Sequence, residues 1–167
     1  LRAHEPLVPG DVIVTGAGGG LGHGICDSLA AAGATVIAAG RTKATLDDTV
    51  AMVTANGGKA VARVCDSSDK GDIDALMTSV AEEFGLIDIL INNAGTVVGK
   101  YAHQYEYDDL RQTMQVNFVG GAFLARLVLP HMMERDQGHI VNMASAIGLV
   151  AMPRMGEYVA SKFAIVG

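Results

Sequence analysis

Short apolar runs alternate along the chain with longer stretches whose apolar residues recur at helical spacing. Runs rich in Val, Ile and Ala at 12–15, 35–39, 59–65, 87–91 and 139–144 predict strands, and the β-branched run at 12–15 reads as a buried parallel strand. Between them, 20–32, 43–55, 69–84 and 106–134 predict helices, the last long enough to be two helices or one broken near Asn117. A final helix is predicted from about Met155. Strand and helix alternating at this spacing is the βαβ pattern of an α/β fold. Right-handed crossovers then give one doubly wound domain, a parallel sheet in the order 3-2-1-4-5. Such sheets bind ligands at the carboxyl ends of their strands. Gly16–Gly22, Arg41, Asp66, Asn93 and Ser145 all follow predicted strand ends, so one shared cleft is expected.

The first strand runs straight into Gly16-Ala-Gly-Gly-Gly20-Leu21-Gly22, and a helix follows. Glycines let a backbone turn tightly and approach a pyrophosphate, while the helix N-terminus offers free N–H groups to the anion. The spacing is not G-x-G-x-x-G, because Leu21 stands where the third glycine belongs, and no Lys-Ser/Thr pair follows as in a Walker A loop. It matches T-G-x-x-x-G-x-G through Thr15, Gly16, Gly20 and Gly22. Taken alone, so many glycines also suit a merely flexible turn.

Near the other end, Tyr158 and Lys162 stand four residues apart, which puts them on one helical face. A free tyrosine titrates near pH ~10, and a neighbouring ammonium favours the phenolate. That pairing makes a general acid–base for neutral pH. Ser145 lies upstream and offers a hydroxyl to a carbonyl or alcohol oxygen. The same Tyr and Lys also read as an ordinary helix pair, and only the rest of the chain separates the two.

Thr15-Gly16-x-x-x-Gly20-Leu21-Gly22, Asn92-Asn93-Ala94-Gly95, Asn117, Ser145, Tyr158 and Lys162 together resemble the motifs of the short-chain dehydrogenase/reductase family, in that family's order and spacing. The resemblance runs from about Val12 to Gly167. It implies a Rossmann domain over residues 1–167 and an oxidoreductase that moves a hydride between a nicotinamide cofactor and a ketone or secondary alcohol. It implies Tyr158 as general acid–base, Ser145 as hydrogen-bond donor to the substrate oxygen, and Lys162 as both the tyrosine's neighbour and a ribose contact. It places Asn93, Ala94 and Gly95 beside the cofactor ribose, although Asn and Gly there also suit a simple turn. It gives Asn117 a water in a proton relay, against the plainer reading of a core asparagine bonded to backbone.

The second strand ends Ala38-Ala39-Gly40-Arg41, without the acid that commonly binds a ribose 2′-OH. A guanidinium there suits a 2′-phosphate, so NADP is expected ahead of NAD, unless Arg41 is only a solvated surface residue. Asp66 either contacts the adenine, as the resemblance implies, or caps the next helix. Met143, Ile147, Leu149, Met152, Pro153 and Met155 line an apolar substrate pocket or simply pack, and they do not identify the substrate.

Composition narrows the rest. The chain has 167 residues, 50% hydrophobic, with a net charge of −6 that argues against nucleic acid as main partner. No apolar run matches a membrane span of about 20 residues, and Leu1–Pro6 has no signal-type apolar region. Two cysteines without a framework suit a reducing, cytoplasmic setting. The histidines show no metal-ligand spacing, so no metal is expected. Homodimer or homotetramer assembly is implied by the resemblance. The competing functions are a 3-oxoacyl-thioester reductase, which would share every motif but want a basic patch for an acidic carrier, and a truncated chain that binds cofactor without turnover. A sheet of this type has a sixth strand, so the C-terminal strands are expected to lie beyond Gly167 in a longer parent.

Overall fold

The computed structural model describes residues 10–167; the reading of Leu1–Pro6 lies outside them. Five strands form one parallel sheet: β1 (Asp11–Thr15), β2 (Thr35–Gly40), β3 (Lys59–Val64), β4 (Ile89–Asn92) and β5 (His139–Asn142). Their order is β3-β2-β1-β4-β5, as the alternation of patterns predicts. The helices are α1 (Leu21–Ala31), α2 (Lys43–Ala55), α3 (Lys70–Glu83), α4 (Tyr107–Met114), α5 (Gly120–Glu134) and α6 (Gly156–Val166). Strands β3, β4 and β5 end or start a residue or two away from the apolar runs, because pairing, not hydrophobicity, defines a ladder.

The central strands β1 and β2 are buried on both faces, which their unbroken apolar sequence requires. Alternate residues face opposite layers. On one side Val12, Val14, Val36 and Ala38 meet Cys26, Ala30, Leu46 and Val53 from α1 and α2. On the other, Ile13, Ile37 and Leu90 meet Ile73, Leu76, Val80, Leu124 and Val128 from α3 and α5. Each large side chain so buried contributes roughly 1.5–3 kcal/mol.

The predicted long helix is continuous from Tyr107 to Glu134 but not regular: α4 passes into α5 through a π-helical turn at Gln115–Val119, centred on Asn117. This helix of 28 residues is long and apolar enough to cross a bilayer, which corrects the expectation that no stretch is. Its apolarity has a local cause, since Leu124, Val128 and Met132 pack against the sheet.

Candidate active site

The carboxyl end of β1 delivers the glycine loop. Gly16 has φ 64°, and a Cβ there would lie 2.8 Å from the Ala94 Cα, so the position needs glycine twice over. Gly22, in the first turn of α1, packs so closely on the Gly16 carbonyl that any side chain would strike it. Gly20 is the N-cap of α1, and Leu21 beside it is exposed. The first turn of α1 carries no acidic side chain and no side-chain cap, and apart from the Gly22 N–H, which donates to the Gly19 carbonyl at 3.0 Å, its N–H groups and dipole suit an anion.

Two side chains brace this loop. The Thr15 hydroxyl is buried, accepts from the Asn93 and Ala94 N–H groups at 3.0 Å each, and donates to the Ile91 carbonyl at 3.4 Å. The Asn93 amide donates to the carbonyls of Thr15 (2.9 Å) and Gly16 (3.2 Å). The Thr15 hydroxyl and the Asn93 Nδ2 are thus committed to backbone, where they join the end of β1 to the end of β4. From the other side, the Thr49 hydroxyl donates to the Ala17 carbonyl at 2.8 Å and docks α2 on the loop.

Arg41 sits exposed at the end of β2, before Thr42, the N-cap of α2. Among the described residues it makes no ion pair. Asp66 follows β3. Its Oδ1 accepts from the Ser68 N–H (2.9 Å) and hydroxyl (2.7 Å), whereas the cap of α3 is Asp69, which accepts from the Asp72 N–H at 2.9 Å. Of the two sequence readings of Asp66, helix capping therefore belongs to Asp69.

Lys162 is almost fully buried in α6, and its Nζ lies 5.5 Å from the centre of the Tyr158 ring. The ammonium donates to the Met143 carbonyl at 2.6 Å, which anchors α6 to the segment after β5. Burial pushes the Lys162 pKa below its usual range. Ser145 opens a 3-10 turn at Ala146–Gly148, and its hydroxyl accepts from the Ile147 N–H at 3.3 Å. One cleft of about 340 Å³ is lined by Gly16, Gly19 and Leu21 from the glycine loop, Asn93 and Gly95 after β4, Met143 after β5, and Tyr158 and Lys162. Arg41, Asp66 and Ser145 stand outside that lining. Among the described residues no group of three His, Cys, Asp or Glu is placed to hold a metal.

Asn117 is buried at the π-helical turn, and its side chain is spoken for. Its amide donates to the Thr96 carbonyl and to the Ser161 hydroxyl, both at 2.9 Å, and its Oδ1 accepts from the Thr96 N–H at 2.7 Å. For a water, Asn117 has its main chain and the second lone pair of Oδ1 left. The sequence reading missed Thr96, Ser161 and Glu157. Ser161 lies within the Tyr-to-Lys interval but carries no spacing signal, and the buried Glu157 looks like any first-turn acid.

The chain matches the short chain dehydrogenase family model over residues 11–167. It is 37% identical over 155 residues to a fatty acyl-CoA reductase of Acinetobacter baylyi, covering 92% of this chain and 52% of that protein. It is 37% identical over 155 residues to the ketoacyl reductase HetN of a Nostoc species, covering 93% and 54%. It thus spans about half the length of these curated relatives. A metagenomic short-chain oxidoreductase in complex with NADP superposes with a TM-score of 0.91 at 31% identity, covering 98% of this chain and 74% of the other. A Burkholderia phymatum short-chain dehydrogenase/reductase in complex with NAD gives 0.92 at 32% identity, covering 98% and 58%. Sheet order, glycine loop and a match that starts at β1 and runs to Gly167 agree, and the chain belongs to the short-chain dehydrogenase family.

Proposed function

We propose that this chain is the cofactor-binding and catalytic part of an NADP(H)-dependent oxidoreductase acting on a ketone or secondary alcohol. One observation carries the reading: a single cleft joins the glycine loop to Tyr158 and Lys162. The residues suit a nicotinamide dinucleotide. An anion meets the acid-free N-terminus of α1 across backbone that admits no side chain at Gly16 or Gly22. Arg41, free of ion pairs among the described residues, is available to a 2′-phosphate. The NADP and NAD complexes of the two structural neighbours support the cofactor class, and Arg41 is the argument for NADP.

Bound nicotinamide supplies or accepts the hydride. In the reducing direction the Tyr158 hydroxyl donates its proton to the substrate oxygen as charge develops there, and in the oxidising direction the phenolate takes it back. The Lys162 ammonium, fixed by Met143, lies beside the ring. The Ser145 hydroxyl, whose oxygen accepts from the Ile147 N–H, keeps its own proton to donate to the same substrate oxygen. A second reading, an acyl-thioester substrate, draws support from the names of the Acinetobacter and Nostoc relatives.

NADPH oxidation followed at its absorbance band, over simple ketones, aldehydes, acetoacetyl-CoA and a fatty acyl-CoA, tests both readings. Turnover with ketones supports the first, and turnover confined to the thioesters supports the second. Binding of NADPH with no turnover on any member would overturn both and leave a cofactor-binding chain.

A further inference from the structure

Glu157 immediately precedes Tyr158, in the first turn of α6, and only 2% of its surface is exposed. Its Oε1 accepts from the Val98 N–H at 2.8 Å and the Gly99 N–H at 3.2 Å. Its Oε2 accepts from the Tyr105 hydroxyl, which lies 3.4 Å from the Glu157 N–H. Burial alone would raise its pKa, but the hydrogen bonds from Tyr105, Val98 and Gly99 outweigh it and hold the carboxyl below its usual range. The carboxylate is therefore ionised, favoured further by the helix N-terminus.

Every partner of this carboxylate outside its own residue belongs to the segment 98–105 that follows β4. The residues just before that segment, Gly95, Thr96 and Val97, line the cleft opposite Tyr158 and Lys162. The two segments meet again farther out, where the Arg154 guanidinium lies 5.1 Å from the centre of the Tyr101 ring. Thr96 is held independently by Asn117, so the wall has a fixed root and a tip that depends on Glu157.

We infer that Glu157 is a positioning residue that holds the wall formed by residues 97–99 against the Tyr158 turn and so shapes the seat of the carbonyl substrate. The inference rests on the oxidoreductase reading for its kinetic consequence, but not for the wall itself. Tyr158 and Lys162 have their own supports: the Lys162 ammonium is held by the Met143 carbonyl, and the Tyr158 carbonyl accepts from the Ser161 hydroxyl, which Asn117 holds in turn. Losing Glu157 therefore disturbs where the substrate sits more than how the proton moves.

The test compares the unmutated protein with Glu157→Gln, Glu157→Ala and Tyr105→Phe, using NADPH with diacetyl and with acetoacetyl-CoA. Glutamine keeps one oxygen for both backbone N–H groups and an amide for the Tyr105 oxygen. Glu157→Ala should raise the carbonyl KM about tenfold or more, the cost of stripping a charged acceptor from buried donors. Its kcat and NADPH affinity should stay within about threefold, the pattern of lost substrate binding. Tyr105→Phe should shift KM in the same direction but less, and Glu157→Gln should restore most of it. Hydrogen exchange at 97–105 should rise in Glu157→Ala and return toward normal in Glu157→Gln. An unchanged KM in an active Glu157→Ala protein, or a parallel fall of kcat, KM quality and NADPH affinity that glutamine does not rescue, would overturn the assignment. Exchange at 97–105 that ignores Glu157→Ala overturns it whether or not the protein turns over. If the unmutated protein oxidises no NADPH with either carbonyl while exchange responds as expected, the wall assignment stands and the reductase reading fails.

Discussion

Single side chains separate chemistry from scaffolding here. Tyr158 reaches the cleft with Lys162 beside its ring. Removing only the phenol oxygen leaves the packing, so Tyr158→Phe should lower turnover by at least ~10²-fold, the low end for general acid–base catalysis, with NADPH affinity nearly unchanged. Lys162→Ala should damage both, because the buried ammonium anchors α6 at Met143 and faces the cleft. Steady-state rates and fluorescence titration of NADPH check the pair, and an active Tyr158→Phe protein would refute the mechanism. Arg41 is the residue on which the proposed preference for NADP rests. A guanidinium–phosphate contact is worth roughly 1.5–3 kcal/mol, so Arg41→Ala should weaken NADPH about tenfold or more and leave NADH nearly unaffected. Tighter NADH than NADPH binding by the unmutated protein would sink that preference.

At the scale of elements, the site depends on joints between strand ends and helices. Asn117 makes one such joint: from the π-helical turn it holds both backbone groups of Thr96 and the hydroxyl of Ser161, so it ties the β4 loop to α6. π-Helical turns inside α-helices are frequent at functional sites, and this one sets an amide between two walls of the cleft. Asn117→Ala would leave one donor, the Thr96 N–H, and two acceptors, the Thr96 carbonyl and the Ser161 hydroxyl oxygen, without this partner, at roughly 1–3 kcal/mol for each group that water cannot reach. Urea unfolding should show a midpoint well below that of the unmutated protein. A loss under ~0.5 kcal/mol, the range of ordinary surface substitutions, would mean the joint is not structural. The joint was only half legible in advance. A polar residue in an apolar helical run marks Asn117 as unusual, but its partners lie 21 and 44 residues away, beyond any local periodicity. Asp66 was misleading in the same way: its segment is rich in capping residues, and only the register of α3 selects Asp69.

Across the whole molecule, burial decides the behaviour of the two cysteines. Cys26 is pushed up to about 12 by burial between α1 and the sheet. Cys65 is pushed up to about 12 by burial first and then by the charges of Asp72, Asp66 and Asp69. Both thiols should therefore ignore a disulfide reagent at pH 8 in the folded protein and react once urea unfolds it. The fold favours the neutral thiol, so this contribution to stability is complete below the usual value of 9.0 and fades as pH rises toward about 12. Cys26→Ala should flatten the decline of stability over that alkaline window, even though the smaller side chain lowers stability overall. An unaltered slope would show that the thiol is not titrating where burial places it.

The order of the sheet, the glycine loop and the Tyr158–Lys162 pair were determined by the sequence alone. Each follows from local pattern and connection rules: short apolar runs alternating with helical stretches read as parallel strands, right-handed crossovers leave few strand orders, and four residues are about one helical turn. Tertiary structure alone decided which polar groups face the cleft and which hold it together. Thr15 and Asn93 both belong to motif positions in the sequence, and the structure commits the Thr15 hydroxyl and the Asn93 Nδ2 to neighbouring backbone while Asn93 still lines the cleft. Glu157 looks like a solvated first-turn acid, yet it is buried against the β4 loop. The reason is that hydrogen-bond satisfaction is settled between segments that meet only on folding. A buried donor or acceptor must find a partner wherever the fold brings one, and residue type and spacing carry no record of that.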